Sequence, residues 1–475
     1  MAGSKLTLSW SALNAHDCIA TGGWSGPKST NGALVAGPIA SGTTYTLSCE
    51  GPGGSGSASA VVSVGAAAVF PLRTEAGTRY LVDASGKPFF IHGDAAWSLI
   101  SRASAAEADR YLAVRSGQGF NAVLVELMEH QFQPDSLRSV HGFGPFLTPG
   151  DYSTPNEAYF AHAEVIIRDA LEKGILVVLT PSYMGYQGGD EGWYREMSAN
   201  GVAKLEAFGR YVATRFAAYP NILWVQGGDY DPPDRALLNA IPDGIRSFNQ
   251  TWLHTFHGGR GTSALGFLGT DAKWLGCNDI YTDETNVVQK AYLEYNRSSM
   301  PFFLIEDRYE GDKNATALTL RWQAYQAVLS GAAGHIMGNS EVWAYGSGWQ
   351  SAVNNGDATA MRNLRQLLES HQWWTLQPDT RGALLTAGTL EGANRAAAAM
   401  SRDRTVALIY TPTARGLTVN LSSMAGPRIN ARWYNPASGE YSPAGDAPFD
   451  ANAQAVRTFT PTAAGDWVLE LGSVP

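Results

Sequence analysis

Through the middle of the chain, short apolar runs alternate with segments whose apolar residues recur at helical spacing. The runs are Phe89 to His92, Asn121 to Leu127, Ile175 to Thr180, Ile222 to Gln226, Trp252 to His257, Asp279 to Tyr281, Phe302 to Glu306 and His335 to Met337. Strands that alternate with helices predict a parallel sheet, because a crossover must return the chain to the start of the next strand. Eight such runs predict a (β/α)8 TIM barrel. Helix starts are written in capping chemistry. Ser104-x-x-Glu107 is a capping box ahead of Tyr111, Leu112 and Val114, and Thr154-Pro155-Asn156-Glu157 reads as another, with Pro155 at the first helical position. The helical pattern from Glu157 to Lys173 stops at Gly174. The sixth run is the shortest and follows an irregular stretch, Gly258 to Gly276; a loop that long inside a barrel is usually functional.

On either side of this region the period changes to that of strands. Residues 5 to 64 form short β-branched runs separated by Gly, Ser and Pro, followed by a Gly65 to Ala68 hinge, which predicts a small all-β sandwich. From about residue 383 strands return at Val406 to Tyr410, Leu417 to Leu421, Ile429 to Tyr434 and Trp467 to Leu471, with a turn at Asn435-Pro436-Ala437-Ser438-Gly439. The expected organisation is therefore multidomain: a β-sandwich over 1–66, the barrel over 70–382 and a second β-sandwich over 383–475. Trp373, Trp374 and Leu376 lie just before the last domain and need burial, so the sandwich is expected to pack on the barrel.

Composition narrows the function. The 475 residues carry 34 Lys and Arg against 43 Asp and Glu, a formal charge of −9, which argues against a nucleic-acid binder with its basic face. No apolar run is long enough to span a membrane. Met1-Ala2-Gly3-Ser4 runs straight into a strand-like segment, which we read as a start from which a leader is missing. Cys18 and Cys49 share the first domain and either pair or remain two buried thiols; Cys277 stands alone. A disulfide would imply a secreted, periplasmic or cell-surface protein. The chain is expected to act as a monomer without cofactor or metal.

In a (β/α)8 enzyme the chemistry sits at the C-terminal ends of the strands. The polar residues there are Asp94, Glu126, Glu129, His130, Tyr183, Asp229, His257, Tyr281, Glu306 and His335, rimmed by Trp97, Tyr186, Trp193, Tyr309 and Trp343. Hydrolysis of a glycosidic bond needs two carboxyl groups flanking it. Asp229, after an apolar strand ending in Gly227-Gly228, and Glu306, closing Phe302-Phe303-Leu304-Ile305, are the favoured pair, since strands four and seven face each other across the barrel. Either carboxylate could instead be a salt-bridged barrel-mouth residue, with Arg308 an obvious neighbour for Glu306. Arg308 or His335 is expected to favour the charge of Glu306.

The motifs Gly93-Asp94-Ala95-Ala96-Trp97, Gly119-Phe120-Asn121-Ala122-Val123, Asn156-Glu157-Ala158-Tyr159-Phe160, Trp224-Val225-Gln226-Gly227-Gly228-Asp229, Glu306-Asp307-Arg308-Tyr309-Glu310-Gly311 and Gly331-Ala332-Ala333-Gly334-His335 together resemble the apiosidase-like glycoside hydrolases, family 140 and its relatives. The resemblance covers residues 70 to 475. It includes Trp433-Tyr434-Asn435-Pro436-Ala437-Ser438-Gly439 and Gly465-Asp466-Trp467-Val468-Leu469, similar to the β-sandwich labelled a collagen-binding domain. It implies a retaining barrel with Asp229 as acid/base and Glu306 as nucleophile, Glu310 being a rival in the same motif, and a polysaccharide or oligosaccharide as substrate. Cys18 and Thr44-Tyr45-Thr46-Leu47-Ser48-Cys49 resemble bacterial immunoglobulin-like modules, which implies a spacing or attachment role.

Rival chemistries lack their residues. A zinc peptidase would show His-Glu-x-x-His on a helix, which is absent, and His254 and His257 point to opposite faces of a strand. Neither Gly53-Gly54-Ser55-Gly56 nor Gly346-Ser347-Gly348 makes a nucleophile elbow. The remaining alternative is a polysaccharide-binding protein with an inactive barrel, which would have lost a carboxylate; this chain has lost neither.

Overall fold

The computed structural model describes residues 4–39, 43–62, 69–131, 140–269, 272–282, 285–453 and 455–474. The expected hinge at Gly65 to Ala68 lies outside them. The chain forms two compact units, residues 1–68 and 69–475. In the first, Ser4–Ser11 pairs antiparallel with Asn31–Ile39, and a second sheet runs in the order Gly26–Lys28, Asp17–Gly22, Thr43–Gly51, Gly54–Val62. Cys18 and Cys49 are direct cross-strand partners and are disulfide-bonded, so the bridge joins two strands of one sheet. The core around it is small: Cys18, Ala20 and Leu47, with Trp10 and Trp24 edge to face at 5.0 Å.

The second unit opens into the barrel. Its strands are one (Ile91–Ala95), two (Ala122–Glu126), three (Leu176–Thr180), four (Ile222–Gly227), five (His254–His257), six (Asn278–Tyr281), seven (Phe302–Glu306) and eight (Gly334–Met337). They hydrogen-bond in the order five-four-three-two-one-eight-seven-six. The seam between five and six is closed by the Cys277 amide donating to the His254 carbonyl at 3.1 Å and by Thr255 Oγ1 donating to Asp279 Oδ2 at 3.1 Å. Alternate residues such as Val123, Val125, Val177, Leu179 and Trp224 pack outward under the helices.

Two local expectations are corrected. Strand one lies two residues later than its apolar run suggests, because Pro88–Phe89 belongs to a small sheet with Leu81–Val82 and Arg73–Thr74. Polar Asp94 is accommodated within the strand by turning outward to Arg115, while Gly93 takes the crowded position, where a Cβ would come within 2.8 Å of Ile336. The Glu157–Glu172 helix is capped by Asn156, whose side chain accepts from the Ala158 amide, and not by Thr154. Thr154 Oγ1 is taken by the Asp151 carbonyl at 3.0 Å and the Thr148 amide at 3.1 Å, which holds Pro155 in an extended bridge to Phe146. The Ser104–Glu107 capping box forms as expected.

The C-terminal region is two sheets. One runs Leu376–Pro378, Ala397–Ser401, Val406–Thr411, Trp467–Val474, Arg428–Tyr434, Tyr441–Pro443, with Phe449–Asp450 also on Arg428–Tyr434. The other is Leu385–Ala387, Leu417–Asn420, Val456–Phe459. Their facing sides enclose Ile409, Val419, Ile429, Trp433 and Leu469. The outer face of the larger sheet shares a core with the barrel helices, in which Leu408, Tyr410 and Val468 meet Tyr325, Leu364 and Trp373. Trp374 and Leu376 pack against this core. Tyr325 stacks on Tyr410 at 4.7 Å, and Arg321 forks onto both oxygens of Asp466 at 2.8 and 2.9 Å. No helix among the described residues is long and apolar enough to cross a membrane.

Asp466→Ala leaves the Arg321 guanidinium without its partner at this seam and should cost about 3 kcal/mol or more. Urea unfolding should show barrel and sandwich melting together, and two separate transitions in the wild type would contradict a shared core. Reduction of Cys18–Cys49 should weaken the first unit by roughly 3–4 kcal/mol on the chain-entropy scale. Limited proteolysis of reduced protein should then cut within residues 1–68 and spare 69–475; cleavage of both units alike would refute this.

Candidate active site

Strand four ends in a turn that only glycine can make. Gly227 and Gly228 have φ of +88° and +124°, and a Cβ on Gly228 would lie 2.1 Å from the Tyr183 ring. The turn carries Asp229 into the left-handed region at φ +48°, a strained conformation that its surroundings hold. Its amide donates to His257 Nδ1 at 3.2 Å, its carbonyl accepts from the Gln187 amide at 3.1 Å, and Oδ2 accepts from the Tyr183 hydroxyl at 3.0 Å. Burial, then the charge of Glu306, push the Asp229 pKa up to about 6 against the opposing effects of His257 and Tyr183.

Glu306 ends strand seven on the other side of His257. Its Oε2 is 2.7 Å from His257 Nε2, and it is hydrogen-bonded by the Tyr309 hydroxyl, which itself accepts from Trp97 Nε1 at 2.8 Å. The Asp229 amide is a donor, so Nδ1 is the acceptor and Nε2 carries the proton given to Glu306. Burial lowers the His257 pKa, but the hydrogen bond and charge of Glu306 and the charges of Asp229 and Asp279 outweigh it and push the value up to about 9. A second proton, which those charges favour, would have to displace the Asp229 amide from Nδ1 and would face Asp229 Oδ1 at 3.8 Å. Asp229, His257 and Glu306 each offer one ligand atom, all within 4.8 Å of one another, numerically enough for a cation. The tautomer opposes that use: a metal on Nε2 would leave the proton on Nδ1, pointing at an N–H donor.

These groups open into a cavity of about 350 Å³. Of the residues singled out in the sequence, Trp97, Tyr183, Asp229, Tyr281, Glu306, Tyr309 and Trp343 line it. His257 is fully buried behind them, joining the two carboxyl groups. Arg260, Asp307, Asp312 and Ser340 also line it and were missed. Arg260 Nη2 donates to the Tyr281 hydroxyl at 3.0 Å; its only sequence signal is its place in the long irregular loop before strand six. A cleft of about 540 Å³ in the first unit, lined in part by Trp10, Trp24 and Tyr45, has no acidic or basic side chain in its wall.

The other candidates do not reach the cavity. Asp94 points outward, where Oδ2 accepts from Arg115 Nε and the Tyr111 hydroxyl, both at 2.6 Å. Glu126 is buried with neither carboxyl oxygen hydrogen-bonded to protein; burial, then the charge of Glu129, push its pKa up. Glu129 turns to Arg102. His130 is held by the Asp190 carbonyl at 2.6 Å and Glu196 at 3.2 Å, and Trp193 is buried with Nε1 on the Met128 carbonyl at 2.9 Å. Tyr186 sits exposed on a short turn, and the Arg308 guanidinium turns back to the Lys313 carbonyl. His335 is the second residue of strand eight, too low in the barrel, and pairs with buried His92 at 3.1 Å. The support expected for Glu306 from Arg308 or His335 therefore comes instead from His257 and Tyr309. Of the long loop Gln131 to Ser153, residues 132–139 lie outside the described set.

Residues 75–375 match the family described as "Apiosidase-like, catalytic domain", and 378–472 the family described as "Putative collagen-binding domain of a collagenase". Among solved structures, one titled a glycoside hydrolase is 22% identical, with a TM-score of 0.71 over 85% of this chain and 96% of its own. A glycoside hydrolase family 5 protein from Bacteroides vulgatus is 22% identical, with a TM-score of 0.73 over 85% of this chain and 93% of its own. At that identity these likenesses show a shared fold. No curated protein matches. With more than half of its length inside the match, and with two carboxyl groups facing one cavity at the strand ends, the chain belongs to the apiosidase-like family and is an O-glycoside hydrolase.

Proposed function

We propose that the protein hydrolyses a polysaccharide or oligosaccharide with retention at the anomeric carbon, using Asp229 as acid/base and Glu306 as nucleophile. What carries the reading is the closeness of the pair: an oxygen of Asp229 and one of Glu306 lie within 4.8 Å. Retaining enzymes hold their carboxyl groups roughly 5–5.5 Å apart, while inverting ones leave roughly 6.5–9.5 Å for a water. In the first step a Glu306 oxygen bonds the anomeric carbon as the glycosidic C–O bond breaks, and Asp229 gives its proton to the departing oxygen. In the second, Asp229 takes a proton from water, the hydroxide oxygen bonds the anomeric carbon, and Glu306 leaves. A carboxyl titrating near pH 6 can serve both as acid and as base. His257 and Tyr309 each donate to Glu306, orienting it toward the cavity.

The disulfide supports a working place in an oxidising compartment, outside the cytoplasm. The first unit is assigned a spacing or attachment role, and the enzyme is taken to work as a monomer.

Glu306→Gln should remove turnover with every leaving group, a loss of at least about a thousandfold, because no covalent intermediate forms. Asp229→Asn should spare glycosylation by substrates with activated aryl leaving groups, which depart without a proton, and lose the others. The substrate itself should emerge from a panel of pectic and bacterial exopolysaccharides with product analysis. Proton NMR of the first-formed product should show the configuration retained; inversion would overturn the mechanism.

Asp229→Asn should also stabilise the fold at alkaline pH. A carboxyl whose pKa rises from 3.8 unfolded to about 6 folded contributes stability that is complete below 3.8 and lost as pH climbs through 6. Asparagine has no such loss and tolerates the left-handed conformation well. Urea unfolding at pH 8 should favour the variant by on the order of 2 kcal/mol, with a smaller gain at pH 4. A destabilised variant at pH 8 would contradict the strain and burial assigned to this carboxyl.

A further inference from the structure

One wall of the cavity is built by two loops. The end of strand seven and the loop after it carry Glu306 and Tyr309, and the loop after strand eight carries Ser340 and Trp343. Glu310 ties them together. Its amide donates to the Gly338 carbonyl at 2.9 Å, its carbonyl accepts from the Ser340 amide at 2.9 Å, and its Oε2 accepts from Asn339 Nδ2 at 3.2 Å. Tyr309 packs so closely on Gly338 that a Cβ there would come within 2.2 Å of the ring. The Tyr309 hydroxyl that reaches Glu306 is thus seated by the same junction.

The Glu310 carboxyl also hydrogen-bonds the carboxyl of Asp357, at the start of the Gly356–Ser370 helix. Asp357 is fully buried; one of its oxygens accepts from the Ala358 amide at 2.7 Å, and Oδ2 has no donor from any ordinary hydrogen-bonding group. Two carboxyl groups can bond only with a proton between them, and a proton on Glu310 supplies the donor that Oδ2 lacks. The surrounding charges are few. Arg115, on the Ala105–Gly117 helix, faces the pair but already gives its Nε to Asp94 on strand one, and the nearby Tyr111, buried, and Tyr345, partly buried, are neutral. One guanidinium stands among three carboxyl groups.

We propose that Glu310 and Asp357, sharing one proton, are positioning residues that clamp the loop of Tyr309 to the loop of Trp343 and so keep Tyr309 on Glu306. When the proton leaves, two like charges face each other, one of them on fully buried Asp357, and the junction opens. Burial and the neighbouring Asp357 raise the Glu310 pKa to about 7, so the proton is lost near neutrality.

Hydrogen exchange followed by mass spectrometry tests this without any substrate, and so separately from the hydrolase reading. After correction for intrinsic exchange, protection over residues 306–316 and 338–345 of the wild type should fall roughly tenfold or more between pH 6 and 8.5. Glu310→Gln, whose amide can donate to Asp357 Oδ2 at any pH, should keep its protection within about twofold, as should Asp357→Asn. Either variant suffices should the other fail to fold, since a purely structural contact would show no such pH dependence. An equal loss in wild type and variants, or none in the wild type, would overturn the clamp.

Discussion

Everything in the active site hangs on one imidazole. His257 rises from strand five between the ends of strands four and seven, and its two nitrogens are spent on the Asp229 amide and on Glu306. Because the first partner is an N–H, the proton is forced to the far nitrogen, and the geometry of Glu306 follows from the backbone of Asp229. That backbone is itself unusual, with three successive residues at positive φ. The strain is held by three contacts to Asp229: its amide on His257, its carbonyl under the Gln187 amide and its Oδ2 under the Tyr183 hydroxyl. Loss of the imidazole would therefore disturb the acid and the nucleophile together.

Around this centre the barrel keeps other acids from competing. Asp94 is neutralised by Arg115 in full burial. Asp279 and Asp307, tied to Thr255 and Thr282, are pushed by burial to about 7, and burial with the charge of Glu129 raises Glu126 as well, so the charged form of each is disfavoured where Glu306 works. In a low-dielectric interior an unpaired charge costs several kcal/mol, and protonation is the cheaper solution. Acid residues are thus numerous at the barrel mouth while the negative charge presented to a substrate stays concentrated on a few of them.

The sequence showed the barrel well because period and polarity agree along it: all eight strands overlap apolar runs, strand one with a shift of two residues, and Asp229 and Glu306 stand where such runs stop. It showed less where a side chain's direction matters. Asp94 and Glu126 both lie near the C-terminal ends of strands, yet one turns out to a guanidinium and the other is buried without a partner, and nothing local distinguishes them. His335 was misjudged because an apolar run does not say at which level of the barrel it begins. Arg260 was invisible because a loop has no period. The Asn156 cap was hidden by a better-looking Thr-Pro pair, whose threonine is consumed by its own turn.

The C-terminal sandwich also bears on the site, through one helix. Ala317–Leu329 carries the chain from strand seven to strand eight, and both its polar and apolar faces are occupied. On the sandwich side, Arg321 forks onto Asp466, Tyr325 stacks on Tyr410, and Gln326 donates to the carbonyls of Ala393 and Arg395 at 3.0 and 2.8 Å. On the barrel side, Gln323 lies beside Asp307, the residue after Glu306, and opposes the upward push of burial on that carboxyl. The helix that holds the sandwich thus also borders the neighbour of the nucleophile. A β-sandwich fixed in this way is a structural part of the catalytic unit, whatever else its exposed surface binds.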